Sequence, residues 1–325
     1  MVLFNRICTP YLGLNNVDIF LQQIFNGLVV GSIYALIALG YTMVYGIMQL
    51  INFAHGEIVM IGAMVTITCI NVLIGHNVAL PGPMLLLIGF MMAVPVSILL
   101  GYAIEKIAYR PLRKAPRLAP LITAIGVSIV LQQAAMLIWG RNYRPFPAIL
   151  PSTVHEIGGA TITSLQIAII GLALALMAGL FFLIERTKLG RAMRATAQNP
   201  EVAGLMGVNI NSIISMVFMI GSALGAVAGV MVAANYDQAH AYMGFLIGLK
   251  AFTAAVLGGI GNLGGAVLGG LLLGLIESLG SGYLGDLTGG AFGSNYKDIF
   301  AFIVLIIVLV FRPSGLLGER VADRA

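Results

Sequence analysis

Residues 19–54 read IFLQQIFNGLVVGSIYALIALGYTMVYGIMQLINFA and contain no Asp, Glu, Lys or Arg. As an α-helix these 36 residues would be about 54 Å long, whereas about 20 residues cross the roughly 30 Å hydrocarbon core of a bilayer. One crossing is too few for this length, and two are cramped. We therefore predict that membrane-embedded helical structure is interrupted near the end of this stretch, by a bend at Asn52 to Glu57.

Five further stretches also lack these four residue types, namely 58–104, 118–140, 157–184, 202–236 and 251–276. Charged residues make up 9% of the chain, against roughly 25% in soluble domains, and 59% of its residues are hydrophobic. This composition excludes an ordinary soluble enzyme and a disordered chain. Because barrel strands would alternate over about ten residues, the predicted fold class is all-α. We expect a polytopic transmembrane helical bundle with broken or re-entrant helices and about 8 to 10 membrane segments.

Most basic residues lie in three short segments. Residues 106–117, 186–194 and 312–324 hold twelve of the 17 Lys and Arg residues. By the positive-inside rule these segments and the C-terminus are cytoplasmic, so the basic residues report orientation and predict no nucleic-acid partner. The predicted organisation is an N-terminal extension (1–18), a transmembrane domain (19–315) that includes a cytoplasmic segment (185–211), and a cytoplasmic tail (316–325).

This orientation requires the chain between about 236 and 296 to begin and end outside. A full crossing and return need about 40 residues plus a turn, whereas the stretch 248–279 offers about 30. Its middle, VLGGIGNLGGA at 256–266, is poor helix material because Gly costs about 1 kcal/mol relative to Ala. We predict a re-entrant hairpin whose bend lies at membrane depth and lines a transport path. The predicted path residues in the bend are Gly258, Gly259, Gly261 and Asn262. The alternative is that glycines here only allow close helix packing.

A second polar cluster lies in INFAHGE at 51–57, directly before an apolar run. Polar groups near the membrane are costly and often functional, so Asn52, His55 and Glu57 are predicted to form part of a gate or to contact the transported solute. The alternative is that they cap a helix at the membrane interface. Gly-Ser pairs at 31–32 and 221–222 precede the two predicted breaks, a pattern compatible with the inverted repeats of many transporters.

The chain carries no motif of a catalytic site. It lacks the Gly-x-x-x-x-Gly-Lys-Ser/Thr loop of nucleotide hydrolysis, and it lacks the His-Glu-x-x-His pattern and a suitably spaced Ser/His pair for an intramembrane protease. Only Cys8 and Cys69 are present, which argues against a disulfide framework and a cysteine metal site. We predict a transport protein that is not an enzyme and has neither catalytic residues nor a metal site.

The segment 185–211 is longer than a plain connection between two helices needs to be. It contains a short amphipathic stretch and a second one that begins at Pro200. These features predict a docking surface for a partner, and the alternative is a basic anchor for anionic lipid headgroups.

Several runs of the sequence are recognisable together and in order. They are residues 26–46, INFAHGE at 51–57, AYRPL at 108–112, KAFTAAVLGGIGN at 250–262 and RPSGL at 312–316. These runs closely resemble the LivH-type permease of bacterial branched-chain amino acid ABC importers, and the resemblance covers about Phe20 to about Gly318. Residues 1–18 and 285–293 depart from the family pattern, and no function is attached to them.

The resemblance implies a permease subunit of the bacterial inner membrane that transports leucine, isoleucine and valine. Its implied partners are a second, LivM-like permease, two cytoplasmic ATPase subunits, a periplasmic substrate-binding protein and the lipid bilayer. ATP and magnesium would bind to the ATPase subunits, and this chain would bind no cofactor. The resemblance also makes 190–209 the region that docks on an ATPase. The residues assigned to coupling are Gly190, Arg191, Arg194, Asn199 and Asn209.

The solute is less determined by the sequence than the family is. Similar permeases serve urea, short-chain amides or other neutral amino acids, and the path residues do not separate these solutes from leucine. A stand-alone cation-coupled transporter, with Glu57 and His55 as coupling groups, also fits the composition but leaves the segment 185–211 without a role.

Overall fold

The computed structural model describes residues 16–78, 80–113, 115–116, 118–150, 153–287, 296–312 and 314–318, and within these ranges the chain forms eleven α-helices. The helices are α1 Asn16–Met48, α2 His55–Gly75, α3 Gly82–Ala103, α4 Leu118–Trp139, α5 Ser164–Arg186, α6 Lys188–Gln198, α7 Pro200–Leu205, α8 Ile210–Asn235, α9 Met243–Gly258, α10 Leu263–Leu287 and α11 Lys297–Phe311. A π-helical turn, Ile104–Tyr109, and a 3-10 turn, Arg110–Leu112, extend α3.

The predicted helical membrane bundle is confirmed. Within the described ranges, seven helices are long and apolar enough to cross a membrane, and α9 and part of α11 are shorter apolar helices. The total of nine lies within the expected range. The predicted N-terminal extension up to residue 15, the greater part of 285–293 and the tail from 319 onward lie outside the described residues.

The two ends of the bundle differ in structure. At one end, β1 Arg144–Pro145 pairs antiparallel with β4 Gln238–Ala239, and β2 Val154–Ile157 pairs with β3 Ala160–Thr163. We call this the strand end. At the other end lie the described parts of the three basic segments: Arg113 donates to Asn211 at the start of α8, Asn262 donates to the Leu317 carbonyl, and Arg194 and Asn262 line one cavity. We call this the basic end.

Helices α1, α2, α8 and α10 form the centre of the bundle, whereas α3, α4 and α5 are largely exposed along their apolar length. Small residues bring the central backbones together. A Cβ at Gly27 or Gly31 of α1 would overlap the backbone of α10 at Leu275 or Leu271. Close packing is the usual use of glycine between membrane helices, because it lets backbones approach.

One long helix and a break account for the length of the charge-free stretch 19–54. Helix α1 runs for 33 residues, about 50 Å, and α2 begins at His55. The predicted bend is therefore present, but it spans residues 49–54, and His55 to Glu57 belong to the first turn of α2. We call residues 49–54 the first break.

The prediction that the glycine-rich stretch is too short for two full helices was wrong for its second arm. Helix α9 has only 16 residues, but α10 has 25 and continues to Leu287, beyond the expected limit at Leu279. The helix passes through Glu277, whose charge is paired with Lys250 of α9. A charge-free stretch underestimates helix length where a buried charge has a partner from another helix.

The two Gly-Ser pairs have similar local geometry. The hydroxyl of Ser32 donates to the Leu28 carbonyl in α1, and the hydroxyl of Ser222 donates to the Phe218 carbonyl in α8, both at 2.7 Å. This similarity is local, and the inverted repeat stays a prediction.

Candidate functional site

The first break is held by a buried asparagine. Asn52 is 2% exposed, and its Oδ1 accepts hydrogen bonds from the Tyr109 hydroxyl at 3.0 Å and from the Ala54 amide at 3.1 Å. The Asn52 carbonyl also accepts from the His55 amide at 3.0 Å. Asn52 therefore fixes the path of the backbone into α2 and connects it to the turn that follows α3.

His55 lies deep in the bundle, at the start of α2. Its ring meets Tyr41 edge-on with 4.8 Å between centroids, and it packs against Gly40 of α1 and Gly225 of α8. Gly225 is 15 residues from the start of α8 at the basic end, which corresponds to about 22 Å of helix. The first break therefore returns the chain from the basic end to the middle of the bundle.

Glu57 is fully buried and carries the most polar environment of the three predicted residues. Its Oε1 accepts hydrogen bonds from Ser128 at 2.9 Å and from Gln132 at 2.7 Å, both on α4. Its Oε2 faces Gly244 of α9 and has no hydrogen-bond partner among the described residues. A carboxylate shared between two helices in this way can hold them together or respond when either one moves.

The second break, residues 259–262 between α9 and α10, is built mainly from backbone. Gly259 and Gly261 have φ angles of 110° and 94°, a conformation that side chains disfavour. Asn262 begins α10, because its Oδ1 accepts from the Gly265 amide at 2.9 Å. Its Nδ2 donates to the Leu317 carbonyl at 3.0 Å, and the amides of Leu316 and Leu317 donate to the carbonyls of Leu257 and Gly258.

The two predicted sites lie at different levels. His55 contacts Gly40, whereas Gly261 lies near Gly46, six residues or about 9 Å further along α1 toward the basic end. The glycine bend thus contacts the tail at the basic end and does not meet His55 or Glu57. Gln49 of the first break and Gly261 of the second line one open cavity of about 760 Å³ at this end.

The predicted coupling segment, 185–211, forms α6 and α7 at the border of this cavity. Four of the five predicted coupling residues hold the segment in shape. Gly190 packs on the Ile184 backbone, Arg194 donates to the Ile184 carbonyl at 2.5 Å, and Asn199 and Asn209 cap α7 and α8. Arg191 is exposed. These contacts leave the coupling role of all five a prediction, with Arg191 the one best placed to meet a partner directly.

The outer face of α7 and its end is apolar. Leu205 is 87% exposed, Met206 is 80% exposed, and Val202 is exposed beside them. Exposed apolar groups clustered in this way mark interaction surfaces more often than isolated ones do. Together with Arg191 they give the basic end a mixed basic and apolar surface.

Comparisons with known proteins agree with this architecture. Residues 23–309 match the family described as branched-chain amino acid transport system / permease component. The chain belongs to that family. It is 47% identical over 313 residues to the high-affinity branched-chain amino acid transport system permease protein BraD of Pseudomonas aeruginosa, covering 94% of this chain and 98% of BraD. It is 44% identical over 309 residues to the LivH protein of Escherichia coli, covering 94% of this chain and 97% of LivH.

A more distant relative is the autoinducer 2 import system permease protein LsrC of Escherichia coli. It is 29% identical over 198 residues, which cover 59% of this chain and 55% of LsrC. Permeases with partial similarity to this one are thus named for a different solute.

The permease also contains buried charges that the sequence analysis did not single out. Lys250 lies 2.9 Å from Glu277 and 2.6 Å from Asp298, and the Tyr34 hydroxyl donates to Glu277 at 2.9 Å. These contacts join α9, α10, α11 and α1. The sequence could have pointed to Lys250 and Glu277, because a charged residue inside an otherwise apolar helix is costly unless it is paired.

A second buried pair in the permease lies at the basic end. Glu105 is fully buried, forms an ion pair with Arg113 and accepts a hydrogen bond from Ser215 at 2.7 Å. Burial lowers the pKa of the Arg113 guanidinium, and the adjacent Glu105 carboxylate opposes that shift. In the sequence, Arg113 is one of the basic residues of 106–117 that indicate only the orientation of the chain.

Proposed function

We propose that this chain is the membrane-spanning permease subunit of an ATP-driven importer of leucine, isoleucine and valine. The observation that carries the proposal is similarity over almost the full length of both partners to BraD and LivH, which are named as branched-chain amino acid permeases. A second, LivM-like permease would complete the path, and a periplasmic binding protein would deliver the solute.

The basic end is the cytoplasmic end in this proposal. The three basic segments meet there, as the positive-inside rule requires of cytoplasmic connections, so the tail is cytoplasmic and the strand end faces the periplasm. This arrangement corresponds to the bacterial inner membrane. It directs the exposed Arg191 and the apolar surface of Val202, Leu205 and Met206 toward two cytoplasmic ATPase subunits.

The transport path runs past the two helix breaks. His55 and Glu57 lie in the middle of the bundle, and Asn52 lies in the first break that leads to them. The glycine bend contains Gly258, Gly259, Gly261 and Asn262, of which Gly261 and Asn262 line the cavity at the basic end. Broken helices at the centre of a bundle are a common transporter device, because they supply polar groups and can change shape. Alternating access would result when the ATPases close and move the coupling segment.

Energy would come from the partner subunits. This chain has no nucleotide-binding loop, so ATP and magnesium would bind to the ATPases, and the permease would contribute no cofactor and no catalytic residue. Its chemical task is to hold a path open to one side at a time.

The proposal is tested with the complete complex in proteoliposomes that contain ATP. Leucine delivered by the binding protein is expected to accumulate, with ATP hydrolysis stimulated by the loaded binding protein. Arg191→Glu is expected to reduce both about tenfold, equal to about 1.4 kcal/mol of docking free energy. The matched control is Arg141→Glu, the same charge reversal on an exposed residue at the strand end, which should have little effect.

Three results would contradict parts of the proposal. Unimpaired coupling in Arg191→Glu would remove the role of that residue. Preference for urea, acetamide or alanine over leucine would change the solute while keeping the importer class. Uptake by this chain alone, driven by a proton gradient without ATP, would replace the importer by a stand-alone cation-coupled transporter.

A further inference from the structure

The turn that follows α3 lies between the coupling segment and the first break. It is the π-helical turn Ile104–Tyr109, which continues α3 at the basic end. π-Helical turns are rare, and many of them lie at functional sites. Two side chains of this turn make contacts in different directions. Glu105 contacts residues next to the coupling segment, and Tyr109 contacts the first break.

Glu105 leads toward the coupling segment. Both of its carboxylate oxygens are used, one by Arg113 and the other by the hydroxyl of Ser215. The second guanidinium nitrogen of Arg113 donates to the Asn211 side chain at 2.6 Å. Asn211 and Ser215 lie in the first two turns of α8, directly after Asn209, which caps that helix and closes the coupling segment.

Tyr109 leads toward the first break. Its side chain is 1% exposed, and its ring packs against Phe218 of α8 with 5.3 Å between centroids. Its hydroxyl donates to Asn52, the residue that also holds the Ala54 amide immediately before α2. A movement of the turn therefore acts directly on the start of the helix that carries His55 and Glu57.

The ion pair on the buried Glu105 makes this connection stiff. Glu105 is fully buried and Arg113 is partly exposed, so losing the guanidinium would leave a buried carboxylate without its counter-charge, and the turn and the start of α8 separate only at high cost. A plain connection between α3 and α4 has no need of such a pair. A stiff element held at both ends can transmit a displacement from one end to the other.

We propose that Glu105 and Arg113 are positioning residues that, through Tyr109 and Asn52, transmit movement of the coupling segment to the first break. This inference rests on the proposed function, because it assumes that ATP hydrolysis moves the coupling segment. The charged turn then takes part in transport in addition to setting the orientation of the chain in the membrane.

The test measures leucine transported per ATP hydrolysed by the reconstituted complex. Arg113→Gln cuts the connection near the coupling segment, and Tyr109→Phe cuts it at the first break while leaving the ion pair intact. Each is expected to lower the ratio about fivefold or more while ATP hydrolysis continues. The control is Arg110→Gln, which removes an exposed positive charge directly after this turn and should leave the ratio unchanged.

The double variant distinguishes transmission from independent damage. If both residues act in one connection, Arg113→Gln with Tyr109→Phe should lower the ratio no further than the stronger single variant, because residues in one network are not additive. Arg113→Lys should give an intermediate ratio, since an ammonium can keep the pair with Glu105 but lacks the forked geometry that also reaches Asn211.

The inference is overturned if Tyr109→Phe and Arg113→Gln lower only the thermal stability of the complex and leave leucine per ATP unchanged. Multiplicative losses in the double variant would overturn it as well. If Arg113→Gln does not assemble, Tyr109→Phe alone decides the matter. A failure of the unmodified complex to couple ATP to leucine uptake would instead contradict the proposed function.

Discussion

The two helix breaks interrupt the bundle with different chemical groups. The first break, residues 49–54, is closed by buried side chains, with Tyr109 donating to Asn52 at 3.0 Å. The second break, residues 259–262, is closed largely by main chain, with the tail amides of Leu316 and Leu317 each 2.9 Å from their carbonyl acceptors. The first break reaches the middle of the bundle, and the second stays at the basic end.

The two breaks are suited to different roles, the first to movement and the second to anchoring. A side-chain hydrogen bond can be exchanged when a neighbouring helix shifts, whereas glycine backbones in direct contact leave no room for rearrangement. We infer that the first break changes shape during transport and that the second anchors the tail beside the cavity. The following predictions probe this distinction.

The largest loss of stability is expected when a methyl group is added at the end of α9, directly before the second break. A Cβ at Gly258 would overlap the carbonyl of Gly265, and backbone on both sides prevents relief. Gly258→Ala should therefore cost about 3 kcal/mol, at the upper end of typical overpacking penalties. The measurement is the thermal unfolding midpoint of the complex, together with the fraction that assembles.

Two neighbouring glycines provide comparisons for Gly258→Ala. Gly261 has a positive φ but no atoms near its added Cβ, so Gly261→Ala should cost only the conformational strain of about 1–2 kcal/mol. Gly264 in α10 has neither constraint, and Gly264→Ala should be neutral or stabilising by up to about 1 kcal/mol. Equal effects at all three positions would contradict a backbone-held break.

A smaller loss is expected at the first break. Asn52→Ala removes the acceptor of the Tyr109 hydroxyl and of the Ala54 amide, which should cost about 2 kcal/mol for leaving buried donors unpaired. The rate of leucine transport should fall by more than the loss of folded complex accounts for. Asn26→Ala on α1 is the control, because Asn26 loses only a 3.3 Å hydrogen bond with half-buried Gln22. Similar transport in both variants would argue against a special role for the first break.

Asn262 permits a finer separation at the second break. Asn262→Asp keeps the acceptor that caps α10 but loses the donor to Leu317, whereas Asn262→Ala loses both and should cost about 1 kcal/mol. Hydrogen exchange at the amides of Leu316 and Leu317 should accelerate in both variants if the side chain clamps the tail. Unchanged exchange in Asn262→Asp would show that the backbone contacts alone hold it.

The smallest effect is expected at Gln49, which is exposed at the first break and has a φ of 51°. Gln49→Gly removes the strain of a positive φ, which stabilises the folded state, but it also gives the unfolded chain more conformational freedom, which opposes folding. Because the first effect is the larger, the free energy of unfolding should rise by about 0.5 kcal/mol. Gln49→Val should destabilise, since β-branched residues rarely adopt positive φ. The reverse order in thermal unfolding would mean that this conformation is not maintained in the complex.

Several features of the fold were predictable because they depend on neighbours in the sequence. The length of 19–54 predicts an interruption, and the glycine-rich run at 256–266 predicts a bend, since both rest on local helix geometry and propensity. The extent of α10 was not predictable, because Glu277 ends the charge-free run in the sequence and only the fold shows that Lys250 pairs with it. Asn52, His55 and Glu57 are conspicuous in the sequence and are buried in the structure, while their role in transport stays a prediction. The residues that contact them were not predictable, because they lie far away along the chain.

Hydropathy and charge are properties of consecutive residues, so they were enough to establish a helical membrane bundle with two interrupted stretches and a basic end. The groups that hold each break follow instead from contacts between helices. Tyr109 lies 57 residues from Asn52, Ser128 lies 71 residues from Glu57, and Ser215 lies 110 residues from Glu105. Spacing along the chain does not encode such pairings, which arise only when packed helices bring the polar groups together out of water.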